Sequence, residues 1–273
     1  MGLEMADTMK PDIEKMGRTE TALRPSTAYI WRLAGEGLAM CYRASKGYEA
    51  CLTPYASLIL SGEPVADLNY AIIDVAPQAE DRLQEFVRVP RSRKIPVLFL
   101  FTPGGAPQLS PVAQALGLEF AAHIPLMVHD AMDFRLREGN FRIARVEGEA
   151  DLKTTNGVMS KAFKIPIESM ERTFGPSYIQ GPGVDLFFAQ QDGQAMSSVQ
   201  TTRAGSVVGI WAMATPPEHQ RRGAGRALLH HIIAYHRDRG AALFYLMATP
   251  EGKPLYDNVG FQTIAEAEVW LLK

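Results

Sequence analysis

The sequence predicts an α/β protein made of two related units, and three observations carry that expectation. The chain has 273 residues, close to twice the ~150 of an ordinary domain. With 47% hydrophobic and 21% charged residues, it has the composition of a chain that buries cores of normal size. Strand-like and helix-like patterns alternate along it, and a hexapeptide recurs after a buried strand in each half. Thr102-Pro-Gly-Gly-Ala-Pro107 and Thr249-Pro-Glu-Gly-Lys-Pro254 share four of six residues at an offset of 147.

Residues 1–25 lack a sustained period and read as a tail or a loosely docked helix. Residues 26–45 suit a helix through Ile30, Leu33 and Leu38, with Gly35 and Gly37 as weak points. An extended stretch covers 50–60, a strand 69–75, a helix 78–89 and a buried strand 95–101. Residues 109–116 form a short helix ended by Gly117, and 119–128 are again extended.

In the second half, 141–146 alternates as a strand, and 151–163 and 167–174 are short helices. Residues 185–191, 194–201 and 206–213 form an antiparallel meander, because Asp192-Gly193 supplies the positive φ of a tight hairpin turn. The strongest helix, 225–239, places Leu228, Leu229, Ile232 and Ile233 on one stripe and ends at Gly240. A buried strand at 241–248, a short helix at 252–258 and a strand at 261–272 close the chain. Leu116-Gly-Leu118 matches Val259-Gly-Phe261 at an offset of 143, so the first half carries about one extra helical turn.

Composition and spacing exclude several classes. The charge is 28 − 30 = −2 and no run of five like charges occurs, which argues against nucleic acid or an anionic membrane as partner. The longest strongly apolar stretch, 95–101, is far below the ~20 residues of a membrane span. The start has no signal-like core and Ala6 stands where a myristoylation motif needs Ser or Thr, so the expected compartment is the cytoplasm. Cys41 and Cys51 fit no disulfide framework or metal spacing and are expected as buried thiols. His230, His231 and His236 fit no metal pattern and are expected on the exposed flank of their helix, so no metal is assigned.

The chemistry concentrates in Pro217-Glu-His-Gln-Arg-Arg-Gly-Ala-Gly-Arg226, between a strand and the best helix. Gly223 and Gly225 leave backbone N–H groups uncovered at a helix N-terminus, where the first amides lack partners and the dipole is positive. That arrangement cradles a pyrophosphate, and Arg221, Arg222 and Arg226 add planar cations suited to phosphate oxygens. A dinucleotide fingerprint would need Gly where Leu228 stands, and the GK[ST] of a P-loop is missing.

Gln220-Arg-Arg-Gly-Ala-Gly225 resembles the Q/R-x-x-G-x-G/A signature of the GCN5-related N-acetyltransferases (GNAT), and Leu255-Tyr-Asp-Asn-Val-Gly-Phe261 resembles the family's LYxxxGF segment. The likeness spans about 135–273. It implies an acyl-CoA N-acyltransferase (GNAT) fold, with 26–134 as a degenerate GNAT-like unit that lacks the glycine pair and 135–273 as the catalytic unit. The tandem order resembles the mycothiol synthase type. The implied activity is direct transfer of acetyl from acetyl-CoA to an amine, the acceptor being a small molecule. The implied alternative is a non-catalytic CoA-binding or regulatory module. On this likeness Met213 and Thr215 face the pantetheine arm, Arg221, Arg222, Gly223, Ala224, Gly225 and Arg226 hold the pyrophosphate, and Tyr256 is the general acid that protonates the leaving thiolate.

Two positions depart from the family pattern. Gly209 stands where some members carry a carboxylate base, and Thr249 stands where an Asn is common. The base is therefore unassigned among His219, Glu251, Asp185 and water. Trp211 is read either as a pocket wall or as core. Glu147, Glu149, Asp151, Glu168 and Glu171 flank the acceptor side and are read either as a solvated face or as groups that favour a cationic amine. The sequence leaves open whether copies of the chain associate.

Overall fold

The computed structural model describes residues 25–131, 140–179 and 183–273. The expected tail, apart from residue 25, and the expected unit boundary at 134 lie outside them. The first half runs α1 (Thr27–Tyr42), β1 (Glu49–Leu52), β2 (Ala56–Leu60), β3 (Asn69–Ile73), α2 (Ala79–Arg93), β4 (Val97–Phe101), α3 (Ala106–Ala115) and β5 (Glu119–Asp130). The second runs β6 (Arg142–Arg145), α4 (Glu149–Phe163), α5 (Ile167–Thr173), β7 (Val184–Gln191), β8 (Gln194–Ala204), β9 (Val207–Ala214), α6 (Ala224–Arg237), β10 (Leu243–Met247), α7 (Lys253–Val259) and β11 (Gln262–Leu272). The extended stretch at 50–60 is a hairpin, turned at Thr53, whose hydroxyl bridges the amide and carbonyl of Ala56. The ten-residue α3 and seven-residue α7 account for three of the four residues by which the repeat offsets differ.

All these strands form one mixed sheet in the order β1-β2-β3-β4-β11-β5-β10-β9-β8-β7-β6. Parallel pairing occurs at two equivalent places, β3 with β4 and β9 with β10. The closing strands are exchanged at the centre. β11 pairs with β4 of the first half, β5 pairs with β10 of the second, and β5 and β11 lie side by side. Each half thus completes the other's sheet, and the two cannot part without breaking ladder hydrogen bonds on both sides.

One face is covered by α1, α4 and α5, the other by α2 and α3 over the first half and α6 and α7 over the second. Helix α1 packs on its own β2 and also reaches β8 and β9. Gly35 and Gly37 make this approach close: a Cβ on Gly37 would lie 2.6 Å from the Trp211 ring, and one on Gly35 would lie 2.5 Å from Ser57 Oγ. The glycines that weaken the helix on propensity are those that seat it, because tertiary contact outweighs the ~1 kcal/mol intrinsic cost of each. The Tyr245 hydroxyl donates to the Leu33 carbonyl at 2.8 Å, and Arg172 on α5 grips the buried Glu63 carboxylate of the β2–β3 loop with two bonds of 2.7 and 2.6 Å.

Cys41 is buried as expected, whereas Cys51 is half-buried on the edge strand β1. The histidine expectation needs correction: His230 and His236 are buried and His231 is half-buried. Helix α6 lies so flat on β7 and β8 that its flank as well as its Leu/Ile stripe is covered. His236 Nε2 bonds Thr201 Oγ1 at 2.9 Å, among the rings of Phe187, Tyr235 and Phe244. Burial lowers its pKa to about 4, with Arg203, Arg239 and Arg145 acting in the same direction and Asp185 opposing. The folded state therefore holds His236 neutral, while the unfolded chain takes up a proton near pH 6.5. Stability from this residue is complete above pH 6.5 and is lost as pH falls toward 4, by about 2–3 kcal/mol at pH 4.5. Chemical denaturation at pH 7.5 and 4.5 should show that loss, and His236→Gln should remove most of it.

Candidate acyl-CoA site

The site lies where the second parallel strand pair comes apart. Register between β9 and β10 runs from Val207 with Leu243 to Gly209 with Tyr245 and stops, although β9 continues to Ala214 and β10 to Met247. Between Trp211 and Ala214, β9 carries one residue more than the facing β8 segment Ser198–Gln200, and Ala212 takes φ 44°. This β-bulge bends β9 and frees backbone groups beside the opening. Trp211 and Ala212 consequently face the α1 side, while Met213 faces the α6 side.

The strand end is fixed by a residue outside the glycine-loop and LYxxxGF motifs. Ser197 on β8 donates to the Ala214 carbonyl at 2.7 Å and shares a 2.9 Å bond with the Thr215 hydroxyl. Gln220, the first residue of the motif, donates from Nε2 to the Thr215 carbonyl at 3.2 Å, tying the glycine loop to the strand. Ser197 sits in an unremarkable strand pattern, so only the register of β8 against β9 reveals it.

The glycine loop then turns into α6. Arg221 (φ 60°) and Gly223 (φ 91°) are both left-handed, and Gly223 caps α6 with no side-chain hydrogen bond and no acidic residue in the first turn. Only glycine holds φ 91° without strain. The first internal bond of the helix is Ala227 N–H to Gly223 O, so the preceding amides remain for another acceptor. A Cβ on Gly225 would lie 3.3 Å from Leu255 and 3.6 Å from the Thr215 hydroxyl, so glycine keeps this passage clear. Arg221, Arg222 and Arg226 are exposed around it, and Phe141 lies beside Gly223.

The first half differs at each equivalent point. The β3–β4 register continues to Ile73 with Phe101 at the ends of both strands, the Thr102 amide then bonds the Ile73 carbonyl, and the Thr102 hydroxyl bonds Asp74. Helix α2 carries Glu80 and Asp81 in its first turn, which already satisfy its positive dipole end.

Tyr256 on α7 is buried against Phe261, at a ring separation of 5.9 Å, in the core cluster beneath α6. Burial raises the phenol pKa well above its ordinary value, so the hydroxyl keeps its proton at neutral pH. Gly209 has no room for a side chain: a Cβ there would lie 2.7 Å from Tyr245 Oη and 2.8 Å from Trp211 Nε1. Trp211 itself is core, buried under α1 with its indole N–H donating to Thr202 Oγ1 at 2.7 Å. Gly209→Ala should therefore cost roughly 2–4 kcal/mol by overpacking, and Gly209→Asp should lose stability without gaining activity. Urea denaturation with an assay beside it checks both.

The remaining candidates are scattered. Thr249 lies in the turn before α7, accepting the Gly252 amide on Oγ1 at 3.2 Å. Asp185 is paired with Arg145 at 2.6 Å, Glu251 is exposed, and His219 is buried in the turn before the glycine loop. Of the acidic residues, Glu147, Glu149, Glu168 and Glu171 are exposed and Asp151 is half-buried. Among the described residues no group of three or more His, Cys, Asp or Glu is placed to hold a metal ion, and no helix is long and apolar enough to cross a membrane.

The family model described as the acetyltransferase (GNAT) domain matches residues 182–263, the stretch that holds the opened strand pair, the glycine loop and Tyr256. No curated protein sequence matches the chain. Among solved structures, the chain is similar to a GCN5-related N-acetyltransferase from Kribbella flavida, with a TM-score of 0.64 and 18% identity over 89% of this chain and 94% of that one. A GCN5-related N-acetyltransferase from Sphaerobacter thermophilus gives a TM-score of 0.56 and 15% identity over 91% and 94% of the two chains. A tandem GNAT protein from the clavulanic acid biosynthesis pathway gives 0.54 and 14% over 80% and 78%. Residues 182–263 thus match the acetyltransferase (GNAT) domain model, and the mixed α/β fold is similar to that of solved GCN5-related N-acetyltransferases and of a tandem GNAT protein.

Proposed function

We propose that residues 135–273 form an acetyl-CoA-dependent N-acetyltransferase unit acting on a small-molecule amine, and that residues 26–134 form a degenerate unit that buttresses it. The observation that carries this reading is the opened β9–β10 pair leading to an uncapped helix N-terminus ringed by three arginines, set against the closed β3–β4 pair. In this reading the amides of residues 221–226 hold the pyrophosphate, with Arg221, Arg222 and Arg226 adding charge. Backbone groups freed by the bulge, at Met213 and Thr215, orient the pantetheine arm and stabilise negative charge on the thioester oxygen.

The amine nitrogen bonds the acetyl carbonyl carbon, the carbon–sulfur bond breaks, and Tyr256 gives its proton to the departing sulfur and regains one from water. The nitrogen's surplus proton leaves through solvent, since the base position at Gly209 is filled by its neighbours. That filled position is the observation that favours a second reading, a CoA-binding module without turnover. A free-thiol assay with acetyl-CoA over a panel of amines separates the two. Thiol release that depends on an added amine supports the enzyme; binding without release on every amine supports the module. The expected compartment remains the cytoplasm.

A further inference from the structure

A cavity of about 220 Å³ lies in the first half, between α1 and the β1–β2 turn on the face opposite α2. Its walls combine opposite charges with apolar side chains. Arg32 and Glu36 line it one helical turn apart on α1, only weakly paired at 3.6 Å and both open to solvent. Asp74, at the end of β3, faces the same space. Trp31, only 3% exposed, forms a wall. Leu52, Pro54 and Ile72 supply the apolar remainder.

We propose that this cavity is a second small-molecule site that takes a free apolar amino acid. The carboxylate meets Arg32 and the positive N-terminal end of α1, where Ala28 also lines the cavity. The ammonium meets Glu36 and Asp74, and the side chain lies on Leu52, Pro54 and Ile72. The size suits such a ligand, being below the 300–1,000 Å³ or so of drug-sized pockets. Helix α1 connects this site to the second half, since the helix that carries Trp31, Arg32 and Glu36 also receives the Tyr245 hydroxyl and seats Gly37 on Trp211.

Calorimetric titration of the full chain with L-leucine and L-phenylalanine tests the proposal, with isoamylamine lacking the carboxylate and N-acetyl-L-leucine lacking the ammonium as controls. Either amino acid should bind at least about tenfold tighter than the controls. Glu36→Gln and Arg32→Gln, both at solvent-open positions, should each weaken binding about tenfold or more while acetyl-CoA binding is unchanged. No binding of the amino acids, equal binding of the controls, or unchanged affinity in Glu36→Gln would overturn it.

Discussion

Replacing Gly223 by Val should weaken acetyl-CoA binding by about a hundredfold or more while the protein stays folded. At φ 91° a β-branched residue is strained, and the loop must rearrange to accommodate it. The expected stability cost, about 1–3 kcal/mol, is local to the start of α6. The cost in binding is larger, because the amides at this turn act as one oriented set and the valine side chain stands over them. Calorimetry measures the affinity and thermal denaturation the stability. Unchanged affinity would remove the cradle from the account, whereas a collapse of the transition would say only that the substitution was too severe. Arg222→Gln, at an exposed position, is the milder companion and should lower affinity several-fold.

Tyr256→Phe should lower kcat by about 10²–10³-fold and leave KM for acetyl-CoA nearly unchanged. The ring that packs edge-on against Phe261 is retained, so the core beneath α6 keeps its volume and the melting temperature should move little. The phenol's pKa lies high because the side chain is buried, so across pH 6–9 the wild-type rate should not fall from loss of this proton. A Phe variant with wild-type turnover would refute the general-acid role and leave Tyr256 as packing.

Much of the fold was legible in the sequence because its signals are local. The Asp192-Gly193 turn, the stripe on α6 and the repeated Thr-Pro-x-Gly-x-Pro segment each specify structure within a few residues, and the observed elements fall within a few residues of the expected ones. The exchange of β5 and β11 was not legible. Both strands carry patterns that would satisfy either neighbour, and pairing over more than a hundred residues leaves no local trace. For the same reason His236 read as exposed: the helix pattern places it on the flank, and only the packing of α6 against Phe187, Thr201 and Phe244 shows that the flank is covered.

The candidate site divides in the same way. The glycines and Tyr256 stand in contiguous motifs, whereas Ser197 acts from another strand and the bulge at Ala212 exists only as a mismatch between β8 and β9. Gly209 is the instructive case. Sequence comparison marks it as a missing base, and the structure supplies the reason in the Tyr245 hydroxyl and the Trp211 ring, which the close approach of α1 holds in that space.

The central claim is that one unit of two retains an acyl-CoA site, and the stoichiometry of acetyl-CoA binding tests it most directly. Titration of the full chain should give one molecule bound per chain, with that binding lost in Gly223→Val. Two per chain, none, or one that survives the substitution would contradict the account.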